Sequence, residues 1–206
     1  MRLDQLFENC IKANYVHVEN AGDYALKREG DVLYVYLEHS DGTEDWINNF
    51  DFSAHGYKRK GEKVWYAHRG FLRVWSSIEK YIVEAIADTG IKQITVVGYS
   101  HGGGLAVLCH EYVYYNRPDL RASLFGYGFG APRVIWNPDG EIKKRLEHFT
   151  VVRNYDDAVT YLPPEVMGYK HVGRIFDISP KGSYSPIDAH REENILKELR
   201  RLYNLL

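Results

Sequence analysis

Ile94-Thr-Val-Val-Gly-Tyr-Ser-His-Gly-Gly-Gly-Leu-Ala-Val-Leu108 is the stretch whose reading decides the fold. Ile94 to Val97 is a β-branched run suited to a strand buried on both faces. Gly98-Tyr99-Ser100-His101-Gly102 fits Gly-x-Ser-x-Gly. From Gly103 to Tyr115, Leu105, Leu108, Cys109, Tyr112 and Val113 recur at helical spacing, predicting a helix. A strand, a one-residue pivot and a helix make a nucleophile elbow. The glycines are needed because a Cβ at Gly98 or Gly102 would strike the neighbouring strand or helix. The residue between them is forced into a strained conformation with its side chain held out. Five letters alone are a weak signal, and the bland reading is a tight turn with an incidental serine. No lysine follows the glycines, which argues against a Walker-type phosphate loop.

Outward from this stretch the pattern alternates. Leu3, Leu6, Phe7, Cys10 and Ile11 mark one face of a short helix. Tyr24 to Lys27 and Val32 to Leu37 read as strands joined by the turn signal Glu29-Gly30-Asp31. A polar loop from Glu38 to Trp46 opens a short helix near Asp45, and the polar stretch Ser53 to Lys63 reads as a surface loop. Val64 to Ala67 predicts a strand and Phe71 to Ala87 a helix, with Leu72, Trp75, Ile78, Ile82, Ala85 and Ile86 at helical spacing. After the elbow helix, strands are expected over Ala122 to Tyr127, His148 to Arg153 and Val172 to Ile178, with a short helix from Asn137 to Leu146. A closing helix carries Ile195, Leu199, Leu202 and Leu206. This predicts one α/β domain over residues 1–206, a mostly parallel sheet with helices on both faces. Ligands of such sheets sit beyond the carboxyl ends of the strands.

Composition narrows the function classes. With 206 residues a sizeable core can be buried, and a net charge of −2 implies no nucleic-acid partner. The 17 tyrosines supply apolar area with a polar tip, suited to a half-open cleft. The start Met1-Arg-Leu-Asp-Gln5 has no apolar core behind basic residues, and no run of about 18 apolar residues occurs, so the expectation is a cytoplasmic chain without membrane insertion. Cys10 and Cys109 suit a reducing compartment, although a disulfide between them stays open. No histidines or carboxylates fall at tight metal-ligand spacing, so neither metal nor cofactor is expected.

A serine hydroxyl needs a base within hydrogen-bond reach, and that base needs an orienting acid. Histidine suits the base role. His148, His171 and His190 follow the elbow helix. His190 lies just before the final helix, where it can swing over Ser100, whereas His148 and His171 stand at strand starts. For the acid, Asp156 and Asp157 stand past the strand ending near Arg153, with Asp177 and Asp188 as alternatives. Ser100, Asp157, His190 is the chain order of α/β-hydrolases. The oxyanion would be met by the backbone N–H of His101 at the helix N-terminus. A second donor must come from the loop after an early strand, which points to Ser40.

These residues resemble the class 3 lipases, the α/β-hydrolase family of fungal-type triacylglycerol lipases and feruloyl esterases. The marks run from about Val32 to His190: Leu33-Tyr-Val-Tyr-Leu37 with Asp45-Trp46, His68-Arg-Gly-Phe71, the elbow, Gly128-Phe-Gly-Ala-Pro-Arg-Val134, and Arg153-Asn-Tyr-Asp-Asp-Ala-Val159 with Leu162-Pro-Pro164. The family's Asn-x-x-Asp-x-Val falls on Asn154, Asp157 and Val159, so the resemblance implies Asp157 as the acid, with His190 as base and Ser100 as nucleophile. The usual Phe-Arg-Gly-Thr or Phe-Arg-Gly-Ser stands here as Leu37-Glu38-His39-Ser40, which places Ser40 at the oxyanion position with Asp45 near its hydroxyl. Where the family has a lid, this chain has the basic stretch Ser53 to Lys63, without the apolar face that a lid would bury in lipid.

The expectation is therefore a serine carboxylic ester hydrolase, acting on short-chain or soluble esters. Lys58, Arg59, Lys60 and Lys63 are read as solvated, with anionic headgroups as the alternative partner. A phospholipase, thioesterase or acyltransferase on the same three residues, or a catalytically silent binding module, are the competing readings. The oligomeric state is not readable.

Overall fold

The computed structural model describes residues 1–18, 22–38, 52–59, 61 and 64–205. Its larger sheet has six strands: β1 (Asp23–Glu29), β2 (Val32–Glu38), β5 (Gln93–Tyr99), β6 (Leu124–Phe129), β8 (Phe149–Asn154) and β10 (Arg174–Ser179), hydrogen-bonded in that order. β1 and β2 form the antiparallel hairpin expected around Gly30, with Asp23 opposite Glu38. Every later pairing is parallel, as strand–helix alternation requires.

The two faces can be read from side-chain alternation along β2. Leu33, Val35 and Leu37 enter one apolar cluster, and Tyr34 and Tyr36 enter the other. Three helices bear on the first face: α2 (Arg69–Ile86), α3 (His101–Asn116) and α4 (Gly140–Arg145). α2 contributes Leu72, Trp75, Ile78, Ile82 and Ile86 of the expected stripe, with Phe71 buried beside them and Ala85 only partly buried. Asp139 starts α4 by accepting from the N–H groups of Glu141 and Ile142, each at 2.9 Å. The second face is covered by α1 (Leu3–Ile11) and the closing α5 (Glu192–Leu202), through Leu6, Phe7, Cys10, Ile195 and Leu199. Helices thus lie on both faces of a mostly parallel sheet. Leu202 of the expected α5 stripe is exposed instead, and Leu206 lies outside the described residues. Cys10 and Cys109 are both free and buried. Among the described residues, no helix is long and apolar enough to cross a membrane.

Other features differ from the sequence expectation, among them the start of α4, which falls at Gly140 rather than Asn137. α3 is not striped, because every residue from Gly102 to Val113 is buried, His110 and Glu111 among them. β6 begins two residues later than expected, because a 3-10 turn occupies Pro118–Ser123. A second, antiparallel sheet was not foreseen: β3 (Ala54–Tyr57), β4 (Trp65–His68), β7 (Ile135–Trp136) and β9 (Tyr169–Lys170) pair in that order. β3 falls inside the stretch read as a surface loop, where Val64 and Tyr66 line the space against Gly56. The short helix expected near Asp45 lies outside the described residues, as do Lys60 and Lys63.

Arg59 corrects the reading of that stretch as solvated. Its guanidinium turns inward onto Glu111 of α3, Nη2 to Oε2 at 3.1 Å, with the two side chains 10% and 1% exposed. Arg145 of α4 approaches the other oxygen of Glu111 at 2.7 Å. Tyr57 and Tyr112 present ring faces to Arg59, 4.4 and 4.5 Å from the centroids. A carboxylate this deep is tolerated only because the two guanidiniums, one on each oxygen, replace its water. Removing one partner of such a group leaves buried charge uncompensated. Glu111→Ala is therefore expected to lose about 3–5 kcal/mol of unfolding free energy. Urea titration checks this; a loss below about 1 kcal/mol would mean that the cluster is solvated rather than buried.

Candidate active site

The elbow is built as its glycines demand. A Cβ at Gly98 would lie 2.0 Å from the carbonyl oxygen of Gly102, and one at Gly102 would lie 1.9 Å from that of Leu37. No side chain fits either gap, so β2, β5 and the start of α3 touch backbone to backbone. Between them Ser100 takes φ 53° and ψ −121°, left-handed space that an L side chain enters only under constraint. Its N–H donates to Phe129 and its carbonyl accepts from Gly103 and Gly104, so the strained residue is tied on both sides.

His190 ends a 3-10 turn, Asp188–His190, immediately before α5. Its Nε2 stands 2.8 Å from Ser100 Oγ, and its Nδ1 stands 3.0 and 2.9 Å from the two carboxylate oxygens of Asp157. With Nδ1–H donating to the carboxylate, the Nε2 lone pair is left to accept the serine proton. Ser100, Asp157 and His190 are all buried. Asp157 follows the end of β8 and is fixed by the N–H of Val159, which donates to Oδ1 at 3.0 Å. The acid and base loops are laced together: Asn154 donates to the carbonyl of Ala189 at 2.7 Å, and Ala158 N–H to that of Pro186 at 3.3 Å. Gly130 approaches so closely that a Cβ there would come within 3.0 Å of both Asp157 and the imidazole.

The alternatives are occupied elsewhere. Asp156 faces outward and accepts from the N–H groups of Gly182, Ser183 and Tyr184, which hold its carboxyl below the usual range, Gly182 foremost. Asp177 pairs with Arg153 at 2.7 Å, and Asp188 accepts from Ser185 Oγ at 2.7 Å. His148 stacks on Phe125. His171 Nε2–H donates to the carbonyl of Thr160 at 2.7 Å. His101 is the first residue of α3, so its N–H lies at the helix N-terminus beside Ser100, and its ring stacks on Phe71 with centroids 4.5 Å apart. Ser40 and Asp45 lie outside the described residues. The chain that leads to Ser40 leaves β2 at Glu38, directly after the carbonyl packed on Gly102. Sequence reasoning missed Tyr99, which touches the His190 ring and main chain, and Gly130, whose signal was the motif Gly128-Phe-Gly-Ala-Pro132.

A strand–serine–helix elbow at the carboxyl edge of a mostly parallel sheet, faced by a histidine and an aspartate from later loops, defines an α/β-hydrolase. Within that class the chain belongs to the class 3 lipases, whose family model, Lipase (class 3), matches residues 34–167. It is 31% identical over 173 residues to a lipase of Rhizomucor miehei, an alignment covering 76% of this chain and 46% of that protein. It is 27% identical over 151 residues to the secreted mono- and diacylglycerol lipase 1 of Fusarium solani, covering 68% and 41%. Lipase II from Rhizopus niveus shares the fold, with a TM-score of 0.68 over 78% of this chain and 63% of that one at 23% identity. The chain thus spans less than half the length of these two curated relatives.

Two histidines, His110 buried and His171 half-buried, weaken the fold toward acid. Burial holds His110 down at about 3. Burial, aided by the guanidiniums of Arg133 and Arg153, holds His171 down at about 4. Below the unfolded histidine value of about 6.5 the unfolded chain binds these protons and the folded chain does not. Stability is therefore fully present above that value and falls as the pH drops toward 4. The expected loss is on the order of 1 kcal/mol per pH unit for each histidine, followed by urea titration between about pH 7 and 4. Burial raises the carboxyls of Glu38, Glu79 and Glu192, which acts in the opposite sense. The histidine contribution is therefore read as the difference in slope between wild type and His110→Asn, and identical slopes would contradict the burial of His110.

Proposed function

We propose that the chain is a serine carboxylic ester hydrolase whose reaction is carried by Ser100, His190 and Asp157. The observation that supports this reading is the 2.8 Å contact between Ser100 Oγ and His190 Nε2, with Asp157 within 3.0 Å of Nδ1. Oγ attacks the acyl carbon while Nε2 takes its proton. The C=O π-pair moves onto oxygen, where the N–H groups of His101 and Ser40 stabilise it. Collapse expels the alcohol, which leaves with the proton from Nε2. Water then attacks the acyl-serine, losing its proton to His190 Nε2, and collapse returns that proton to Ser100 Oγ as the acid is released. Asp157 holds the imidazole tautomer throughout and stabilises the imidazolium each time it forms.

For the substrate we propose short-chain or soluble esters. The described part of the segment that stands where the family's lid would be is tied to the body of the protein, by β3 pairing with β4 and by Arg59 on Glu111. A segment held in this way presents no loose apolar face for a lipid surface.

Hydrolysis of p-nitrophenyl esters from acetate to palmitate tests both parts. Activity is expected to be highest on the short chains, and Ser100→Ala or His190→Ala is expected to lower kcat by at least about 10³-fold. Wild-type turnover in Ser100→Ala would overturn the hydrolase reading. Activity confined to the long chains would overturn the substrate reading alone.

A further inference from the structure

Tyr99 occupies the first variable position of Gly-x-Ser-x-Gly and ends β5. Its side chain packs on the same apolar cluster as Val97, on the face covered by α1 and α5. Ser100, the next residue, leaves the strand and meets the imidazole of His190 at Nε2. The chain that carries His190 crosses over Tyr99 as it enters α5, and the tyrosine meets it twice. Its hydroxyl donates to the carbonyl oxygen of His190 at 2.6 Å. Its ring lies against the imidazole, with centroids 5.3 Å apart and planes 23° from parallel. Phe7 of α1, itself 0% exposed, meets the tyrosine ring edge-on at 5.5 Å and 82°.

The two contacts supply what the aspartate does not. A hydrogen bond from Nδ1 to Asp157 fixes one edge of the ring and leaves it free to swing about that bond. A flat neighbour fixes the plane, and a bond to the residue's own carbonyl fixes the backbone from which the ring hangs. When Nε2 accepts the serine proton, the ring becomes a cation against an aromatic face, an arrangement that favours the charged form. The phenol is pushed up by burial, then by Glu192 and Asp157, so it remains a neutral donor wherever the protein is folded.

We infer that Tyr99 is a positioning residue for His190, holding the imidazole edge on Ser100 Oγ through one ring stack and one main-chain hydrogen bond. This rests on the proposed ester hydrolysis. It adds a group outside the triad whose effect is felt in turnover rather than in substrate binding.

The experiment compares wild type, Tyr99→Phe, Tyr99→Leu and Ser100→Ala. The readouts are kcat and KM on p-nitrophenyl acetate or butyrate, thermal melts, and the downfield proton resonance of His190 Nδ1–H. Tyr99→Leu, which loses both contacts, is expected to lower kcat about 100-fold with KM changed less than about threefold. Tyr99→Phe keeps the stack and is expected to lower kcat about tenfold. The Nδ1–H resonance is expected to broaden in Tyr99→Leu and to stay sharp in Tyr99→Phe. Unchanged kcat in both variants, or a loss confined to KM, would overturn the inference. If Tyr99→Leu does not fold, Tyr99→Phe decides by its kcat at an unchanged melting temperature. A dead Ser100→Ala beside fully active Tyr99 variants removes the positioning role alone, whereas an active Ser100→Ala removes the hydrolase reading beneath it. If wild type turns over neither ester, the Nδ1–H resonance decides the positioning by itself.

Discussion

Backbone touches backbone where β2, β5 and α3 converge, and the rest of the molecule is arranged around that contact. The carbonyl of Leu37 sits where a Cβ of Gly102 would be, and the carbonyl of Gly102 sits where one of Gly98 would be. The approach leaves the chain no relaxed path, so Ser100 carries the left-handed conformation. Such a residue costs on the order of 1–3 kcal/mol. Full burial of one Leu or Val side chain returns about 1.5–3 kcal/mol, and α3 buries Leu105, Val107, Leu108 and Val113 directly behind the strain. The balance favours the bent form, and the helix that supplies the apolar area is the same one whose N-terminus faces the serine.

A helix buried on all sides brings its polar residues inside with it. Glu111 is the clearest case, and its solution reaches far along the chain, to Arg59 ahead of β4 and Arg145 at the end of α4. Such a cluster adds little net stability compared with apolar packing, but it specifies which cations stand where. Its structural effect is to draw the residues after β3 onto the side of α3. The charge that reads as surface in the sequence therefore works as a peg.

Much of this was legible in the residues. The elbow, the strand–helix alternation, the hairpin at Gly30 and the stripe of α2 are local patterns with a period, and each lies within a residue or two of its expected place. The elbow serine and the histidine that meets it followed from chemistry and chain order. The choice of Asp157 over Asp156 did not, because the two are neighbours in one turn. Asp156 is drawn outward by three N–H groups from residues 182–184, a partner that no local reading contains. The antiparallel sheet escaped for a related reason. β7 and β9 are two residues each, too short to show alternation, and exist only because distant segments meet. Tyr99 escaped because the motif leaves its position open. Only the return of the chain at His190 gives that side chain a task.

The two cysteines carry a consequence of the layered build. Cys10 lies in the apolar layer beneath α1, and Cys109 in the layer beneath α2. The six-stranded sheet stands between them, so the native fold itself keeps these sulfurs from joining, whatever the redox poise of the surroundings. Burial pushes the Cys10 thiol up to about 12 and raises that of Cys109 as well, so neither offers a thiolate to an oxidant near neutrality. These two thiols are thus shielded from oxidation while the fold stays closed. Each sulfur is a silent marker of one layer, reactive only when that layer opens.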